Sequence, residues 1–398
     1  MTLNISPKPL HPTIDIPTSK SYANRLLIVA ARLGGGRELK DLPPSDDVTF
    51  LVRALEQIGL KLDRKGNDLV FNNSFPECES KTKNSIRINV GEGGTTARFL
   101  LSLISLGHSK YILEMEGLLA KRPWMDLIQI LKEAQVQIEW LDERSLSVQG
   151  PIDSTRLPTD ITCRETTQFI SSLQLSLFKE GIFFNPLHLK SSLTYWQMTL
   201  ACLEDFKVKS IPKDWSSASY PMALAAVKGE RVLFKGLYED PLQADSLILK
   251  ILEERGALEK VKEGVVVKSL ARKYPFDIDG SQCLDLIPTL AFLAMNLEGE
   301  SIIRNTQGLI PKESNRQEEI LRVLKAVGCK AHLSEIHSLH IWGIHHFEST
   351  TLNPAADHRI VMMAALMLLV NKGGELSNEK CVSKSFRNFF EIVAPTYE

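Results

Sequence analysis

At 398 residues the chain is too long for one hydrophobic core to be the expectation, and two or three domains are expected. Lys plus Arg (47) nearly cancels Asp plus Glu (48), so no overall field would hold nucleic acid or an anionic membrane, and any basic site must be concentrated locally. A 43% hydrophobic and 24% charged composition excludes a disordered chain.

The chain opens on MTLNISPKPLHPTIDIP, which lacks the long apolar run of a leader, and no stretch reaches about 18 uninterrupted apolar residues. A cytoplasmic protein without membrane spans is expected. Cys78, Cys163, Cys202, Cys283, Cys329 and Cys381 show no metal-ligand spacing and read as free thiols, small residues of the core in a reducing compartment.

Six segments share one grammar, polar residues followed by an apolar helical run that usually closes on glycine: NRLLIVAARLGG, TTARFLLSLISLG, TTQFISSLQLSLFKEG, SSASYPMALAAVKG, DLIPTLAFLAMNLEG and DHRIVMMAALMLLVNKGG. They begin at Asn24, Thr95, Thr166, Ser216, Asp285 and Asp357, in steps of 71, 71, 50, 69 and 72 residues. Such spacing is an internal repeat with one shortened unit. Because their apolar residues run nearly all round, these helices are expected to be buried.

A second, amphipathic helix recurs between them, in LEQIGLKL, LKEAQVQIEW, LEDFKVKS, LEERGALEK and LKAVGCKAH, with Gly59, Gly256 and Gly328 expected just past helix ends. Alternating stretches such as LKLDRKGNDLVF and QIEWLDERSLSVQG read as strand, turn and strand. Six units of this kind suggest two domains of three. LGGGR at 33 to 37 lacks the GK[ST] of a phosphate loop and reads as a helix end, and His332, His337, His340, His345 and His346 fall across a hairpin and loop, so no metal is assigned.

The polar starts of buried helices have two readings. Thr95, Thr166, Ser216 and Asp285 could simply be N-caps, and Ser314, with Glu318 and Glu319, could cap and favour the helix of PKESNRQEEILRVLKAVG. Alternatively these ends, whose N–H groups lack intrahelical partners, bind anions. Basic residues recur beside them: Lys20, Arg25, Arg98, Arg122, Arg316, Arg359 and Lys384. Small anionic substrates would account for that set, with Asp285 and Glu313 as candidate acid–base groups.

PTSKSYANRLLIVAA, SDDVTFLVRALEQIG, GEGGTTARFL, KRPWMDLIQIL, TTQFISSL, DWSSASY, PKESNR, ADHRIVM and CVSKSF, in that order, resemble the 5-enolpyruvylshikimate-3-phosphate synthase family. The resemblance covers nearly the whole chain. It implies an α/β (α+β) inside-out barrel of two domains, each of three βαβαββ-like units around buried parallel helices, with active-site groups in the cleft between. The domains would be 19–212, and 1–18 with 213–398, crossing near Pro17–Lys20 and Ile211–Asp214.

The implied reaction transfers the enolpyruvyl group of phosphoenolpyruvate to the 5-hydroxyl of shikimate 3-phosphate, releasing phosphate through a tetrahedral intermediate. By matching position, Lys20, Ser21, Arg25, Thr166, Thr167, Gln168, Ser192, Asp285 and Lys312 would hold shikimate 3-phosphate. Lys20, Gly94, Arg122, Gln168, Arg316, Arg359 and Lys384 would hold phosphoenolpyruvate. Asp285 would take the hydroxyl proton and Glu313 would protonate the methylene carbon, with Lys20 beside them as a catalytic group. The resemblance implies no cofactor, no nucleic acid and no membrane partner, and a monomer is expected.

Several positions depart from the family: Glu92 and Asn315 stand where Asn and Asp are usual, Gly308 replaces an Asn, Glu165 adds a charge in CRETTQF, and SLTY replaces Ser-basic-Pro-Tyr. These touch the acceptor side, so an enolpyruvyl transferase with another acceptor, or a non-catalytic relative that binds phosphorylated ligands, stays open. The UDP-N-acetylglucosamine type usually carries a reactive cysteine before the Arg-Pro position, and ISLGHSKYILEMEGLLAKRPW contains none.

Overall fold

The computed structural model describes residues 2–79, 84–164, 166–189, 191–343 and 350–395, which leaves Glu165, His345 and His346 outside the described residues. The chain divides into two compact units, Thr18–Pro212, and Met1–Pro17 with Lys213–Glu398. The N-terminal strands belong to the latter: Thr2–Ile5 pairs antiparallel with Gly374–Ser377, and Thr13–Asp15 parallel with Val232–Lys235. In the other unit, Val208–Ser210 pairs parallel with Arg37–Lys40.

Both units repeat one sheet pattern, a parallel pair extended by an antiparallel hairpin. Ile86–Asn89 runs parallel to Lys110–Glu114, which pairs with the hairpin Gln137–Trp140 and Ser145–Gln149. Asp277–Asp279 stands in the same relation to Glu300–Arg304, Ala331–Leu333 and Leu339–Trp342. Among the described residues, the third sheet of the unit Thr18–Pro212 has only the parallel pair Asp160–Thr162 and Asn185–Leu187. The shortened repeat step of 50 and the missing hairpin there are one fact.

The six apolar runs form helices Lys20–Leu33, Gly94–Ile104, Gln168–Leu177, Trp215–Lys228, Ile287–Ala294 and His358–Leu369. They are buried on every side, as their composition requires; every residue from His358 to Leu369 is inaccessible or nearly so. Hydroxyl pairs join successive helices in each unit, Ser102 to Ser172 at 2.8 Å and Ser219 to Thr289 at 2.8 Å. A hydroxyl in such a core needs a partner, and the repeat supplies one at an equivalent place.

The helix starts differ from expectation. The first begins at Lys20 rather than Asn24, because Ser19 Oγ accepts from Tyr22 N–H and caps it. The fifth begins at Ile287, which leaves Asp285 outside the helix. The caps are Gly93, Thr167, Asp214 and Leu286, not Thr95, Thr166, Ser216 and Asp285. LEDFKVKS is not a helix: the helix before it, Leu193–Ala201, stops first, because LEDF has no buried face to hold a further turn. Gly59, Gly256 and Gly328 do follow helix ends, at φ of 106°, 67° and 80°. LGGGR ends the first helix, with Gly34 as its C-cap.

Candidate functional site

In the unit Thr18–Pro212, the side chains expected from sequence gather at the N-terminal ends of its buried helices. Lys20 Nζ lies 2.9 Å from Asp47 Oδ2, and Asp47 is buried at the start of the helix Asp46–Gln57. The Asp47 carbonyl accepts from Thr96 Oγ1 at 2.9 Å, which ties that pair to the helix Gly94–Ile104.

That helix starts without a side-chain cap, on Gly93 and Gly94. A Cβ at Gly94 would lie 2.8 Å from Arg122 NH1 and 3.0 Å from Arg98 NH1, and one at Gly93 would lie 2.7 Å from Asp47 Oδ1. Two guanidinium groups thus crowd a helix end that already favours negative charge. Glycine is the residue that admits them.

Arg98 is buried against Trp124 and Phe169, donates to Pro123 O at 2.7 Å, and donates to Gln168 Oε1. Gln168 Nε2 donates onward to Thr95 Oγ1 at 3.1 Å, and Thr166 Oγ1 accepts from Gln168 N–H at 3.1 Å. Thr167, beside them, is buried as the N-cap. Arg25 is buried between Phe99 and Tyr195; it donates to Thr199 Oγ1 at 2.9 Å, to Ser21 O at 2.9 Å and to Tyr195 O at 3.1 Å. Burial draws its pKa below the ordinary value against the pull of Cys202, Tyr195 and Tyr22. Ser192, at φ 61°, is the N-cap of Leu193–Ala201, the helix that carries Tyr195 and Thr199. Glu92 is exposed and packs over Gly117, where a Cβ would lie 2.3 Å from Glu92 Oε1.

The other unit holds a denser charge cluster, built around Arg316 at the start of the helix Arg316–Ala326. Its guanidinium lies 2.8 Å from Asp285 Oδ1, 2.8 Å from Glu313 Oε2 and 2.7 Å from Asp357 Oδ2. Lys312 Nζ and Arg359 NH2 each lie 3.7 Å from Asp285, and Lys384 Nζ lies 3.2 Å from Glu313. The two candidate acid–base groups are therefore joined by one arginine, with further cations on each. Ser314 does not cap the helix; Asn315 holds that position, and Ser314 Oγ donates to Asp357 Oδ2 at 3.1 Å.

Burial works to raise the Asp285 carboxyl, but Lys312, Arg359 and Arg316 outweigh it and hold the group well below the usual carboxylate range, Glu313 opposing them. Burial would lower Arg316, and the charges of Asp357, Glu313 and Asp285 raise it well above its ordinary value instead. Arg359 is raised in the same way, by Asp285 above all, against its burial. Its Nε and NH1 are nonetheless buried with no hydrogen-bond partner among the described residues. An orphaned buried guanidinium edge is costly unless something anionic meets it.

The residues expected from sequence thus assemble within their own units, Lys20, Gly94, Arg122 and Gln168 in one, Asp285, Lys312, Glu313, Arg316, Arg359 and Lys384 in the other. Asp47 and Asp357 are partners of these candidates that the sequence reading does not name, although both stand in stretches that carry the resemblance, SDDVTF and ADHRIVM.

The family model for EPSP synthase (3-phosphoshikimate 1-carboxyvinyltransferase) matches residues 5–210 and 208–393. The 3-phosphoshikimate 1-carboxyvinyltransferase of Buchnera aphidicola subsp. Cinara cedri is 28% identical over 95% of this chain and 93% of its own length. The solved EPSP synthase of Acinetobacter baumannii superposes with a TM-score of 0.74 at 19% identity, covering 98% of this chain and 96% of that one. The enolpyruvyl transferase NikO of Streptomyces tendae superposes at 0.71 with 13% identity, over 98% and 96% of the two chains. Likeness at such identities shows the two-domain inside-out α/β fold alone.

Proposed function

From its membership of the EPSP synthase family, which the match across both units establishes, we propose how this chain's residues divide the work. The enzyme transfers the enolpyruvyl group of phosphoenolpyruvate to the 5-hydroxyl of shikimate 3-phosphate, with release of phosphate, in aromatic biosynthesis. Its two enolpyruvyl-transferase domains are the two compact units, and its working form is a cytoplasmic monomer. Among the described residues no helix is long and apolar enough to cross a membrane.

The observation that carries the reading is the bridge from Asp285 through Arg316 to Glu313. Addition across the enol ether needs a proton removed from the attacking hydroxyl and one delivered to the methylene carbon, so two carboxyl groups of different basicity are required. Asp285 takes the hydroxyl proton, and Glu313, which Arg316 and Lys384 meet as a carboxylate, takes up a proton from water before it delivers one to the methylene carbon. Asp285 as it stands is a poor base, because cations hold it ionised. Anionic substrates that engage Lys312 and Arg359 weaken that attraction and raise its basicity where it is needed.

Lys20, Gly94, Arg122, Gln168, Arg316, Arg359 and Lys384 hold phosphoenolpyruvate; the orphaned edge of Arg359 is the readiest of them. Lys20, Ser21, Arg25, Thr166, Thr167, Gln168, Ser192, Asp285 and Lys312 hold shikimate 3-phosphate. Phosphate release from phosphoenolpyruvate, measured with shikimate 3-phosphate and separately with UDP-N-acetylglucosamine, tests this reading. Turnover confined to the first acceptor is expected; turnover with neither, or with the second alone, overturns it.

A further inference from the structure

Arg98 reads in the sequence as one more cation beside a helix start, yet the structure ties its guanidinium to the protein. It is 2% exposed, its central carbon lies 5.2 Å from the centre of the Trp124 ring and 5.4 Å from that of Phe169, and NH2 donates to Pro123 O at 2.7 Å. NH1 donates to Gln168 Oε1. Arg98 and Gln168 stand on neighbouring buried helices, Gly94–Ile104 and Gln168–Leu177. One turn on, the hydroxyl pair Ser102 and Ser172 spans the same 70 positions, so both contacts belong to one helix register. NH1 also stands 3.0 Å from the place of a Cβ on Gly94, close enough to that helix start for Arg98 to meet an anion directly.

The chemistry of arginine decides how the Gln168 amide faces. A guanidinium has five N–H donors and no acceptor, so the amide must turn its oxygen to Arg98 and its nitrogen away. One Nε2 hydrogen then goes to Thr95 Oγ1 at 3.1 Å. The other has no partner among the described residues. A glutamine amide in water offers an acceptor and a donor alike, whereas this one has its oxygen committed and a donor to spare.

We propose that Arg98 is a positioning residue that fixes the Gln168 amide, so that Gln168 offers substrate oxygens a hydrogen-bond donor and not an acceptor. The inference rests on Gln168 meeting the substrates, as read above. A carboxylate or phosphate oxygen accepts such an N–H, and an amide oxygen in the same place would repel it. With the amide set in advance, less side-chain freedom is lost when the anion arrives.

The test is a double-mutant cycle in kcat/KM for phosphoenolpyruvate with the full-length enzyme, comparing wild type, Arg98→Met, Gln168→Ala and the two together. Arg98→Met frees the amide and should lower kcat/KM about 5- to 25-fold, the cost of ordering one rotamer-rich side chain times two for the choice of amide face. In the Gln168→Ala background the same change should cost nothing beyond about twofold, because Arg98 acts through that amide. Arg98→Lys, which also has donors and no acceptor, should recover most of the loss. An absent loss in the first background overturns the proposal. So does an equal loss in both, which would mean that Arg98 meets the anion itself or only holds the fold. Gln168→Glu keeps the oxygen that Arg98 requires but has no donor, so it should lose at least as much as Gln168→Ala. Wild-type kinetics in Gln168→Glu rejects the proposal even where Arg98→Met does not fold by circular dichroism. Gln168→Ala with unaltered kcat/KM for phosphoenolpyruvate and unaltered calorimetric binding of shikimate 3-phosphate would instead show that the site reading has failed.

Discussion

Arg316 grips Asp357 with two nitrogens, Nε to Oδ2 at 2.7 Å and NH2 to Oδ1 at 3.2 Å, and both side chains are shut off from water. Asp357 also accepts from Arg359 N–H at 3.0 Å, so one buried carboxylate meets two arginines of the cluster. Removing one partner of such a pair leaves an uncompensated charge inside the protein. Asp357→Ala should therefore cost about 3–5 kcal/mol of stability, read from the denaturant midpoint. A loss under about 1 kcal/mol would mean that the pair is not held as described.

Glu313→Gln keeps the side-chain shape but can neither take up nor deliver a proton. Turnover should fall about 10²- to 10⁴-fold while calorimetric binding of shikimate 3-phosphate stays within a few-fold. Full turnover in this variant would remove Glu313 from the chemistry.

Gly94→Ala puts a methyl group where Arg122 NH1 would be 2.8 Å away. The arginine must shift, so KM for phosphoenolpyruvate should rise with kcat less affected. Arg122→Ala, which loses a charge-assisted hydrogen bond, should lower kcat/KM by about 10- to 150-fold. Unaltered donor kinetics in both variants would place this helix end outside the donor site.

Asp285 bears on acid stability. Its folded pKa lies below the ordinary 3.8, so its ionised form stabilises the folded state above that value, and the contribution is lost as pH falls through the lower folded pKa. Asp285→Asn should be less stable than wild type at pH 7, and the gap should close as pH drops below about 4. A gap independent of pH would show that packing, not charge, sets the difference.

Gly34 ends the first buried helix at φ 58° and ψ −148°, and a Cβ there would stand 2.7 Å from the Asn73 carbonyl carbon. Gly34→Ala should cost at least about 1–3 kcal/mol in thermal or chemical unfolding, with activity per folded molecule retained. An unchanged midpoint would contradict the close approach of these two segments.

Much of the architecture was legible because it depends on local pattern. Residues 360 to 369 are apolar all round a helix, which leaves burial as the stable outcome, and the recurrence of such runs marked the repeat before any contact was known. The hairpin Leu62–Lys65 and Asp68–Phe71 followed from alternation around Gly66 and Asn67. Helix starts were less legible, since a cap depends on backbone direction. Asp214 rather than Ser216 caps its helix by accepting from Ser217 N–H at 2.9 Å, which freed Ser216 for Asp245.

The sequence by itself determined which chemical groups this protein possesses and the order in which its repeats deliver them: SKS, KRP, KES and DHR present cations and carboxylates, and GGTT small and hydroxyl residues, beside helix starts wherever the chain is read. Only the tertiary structure decided the pairings. Arg316 meets Asp357 from 41 positions away and Asp285 from 31, Lys20 meets Asp47 from 27, and Ser216 meets Asp245 from 29. Periodicity carries no information at such separations, because a buried charge takes as its partner whichever opposite group the packing of other elements brings within about 3 Å, and that packing is a property of the whole unit.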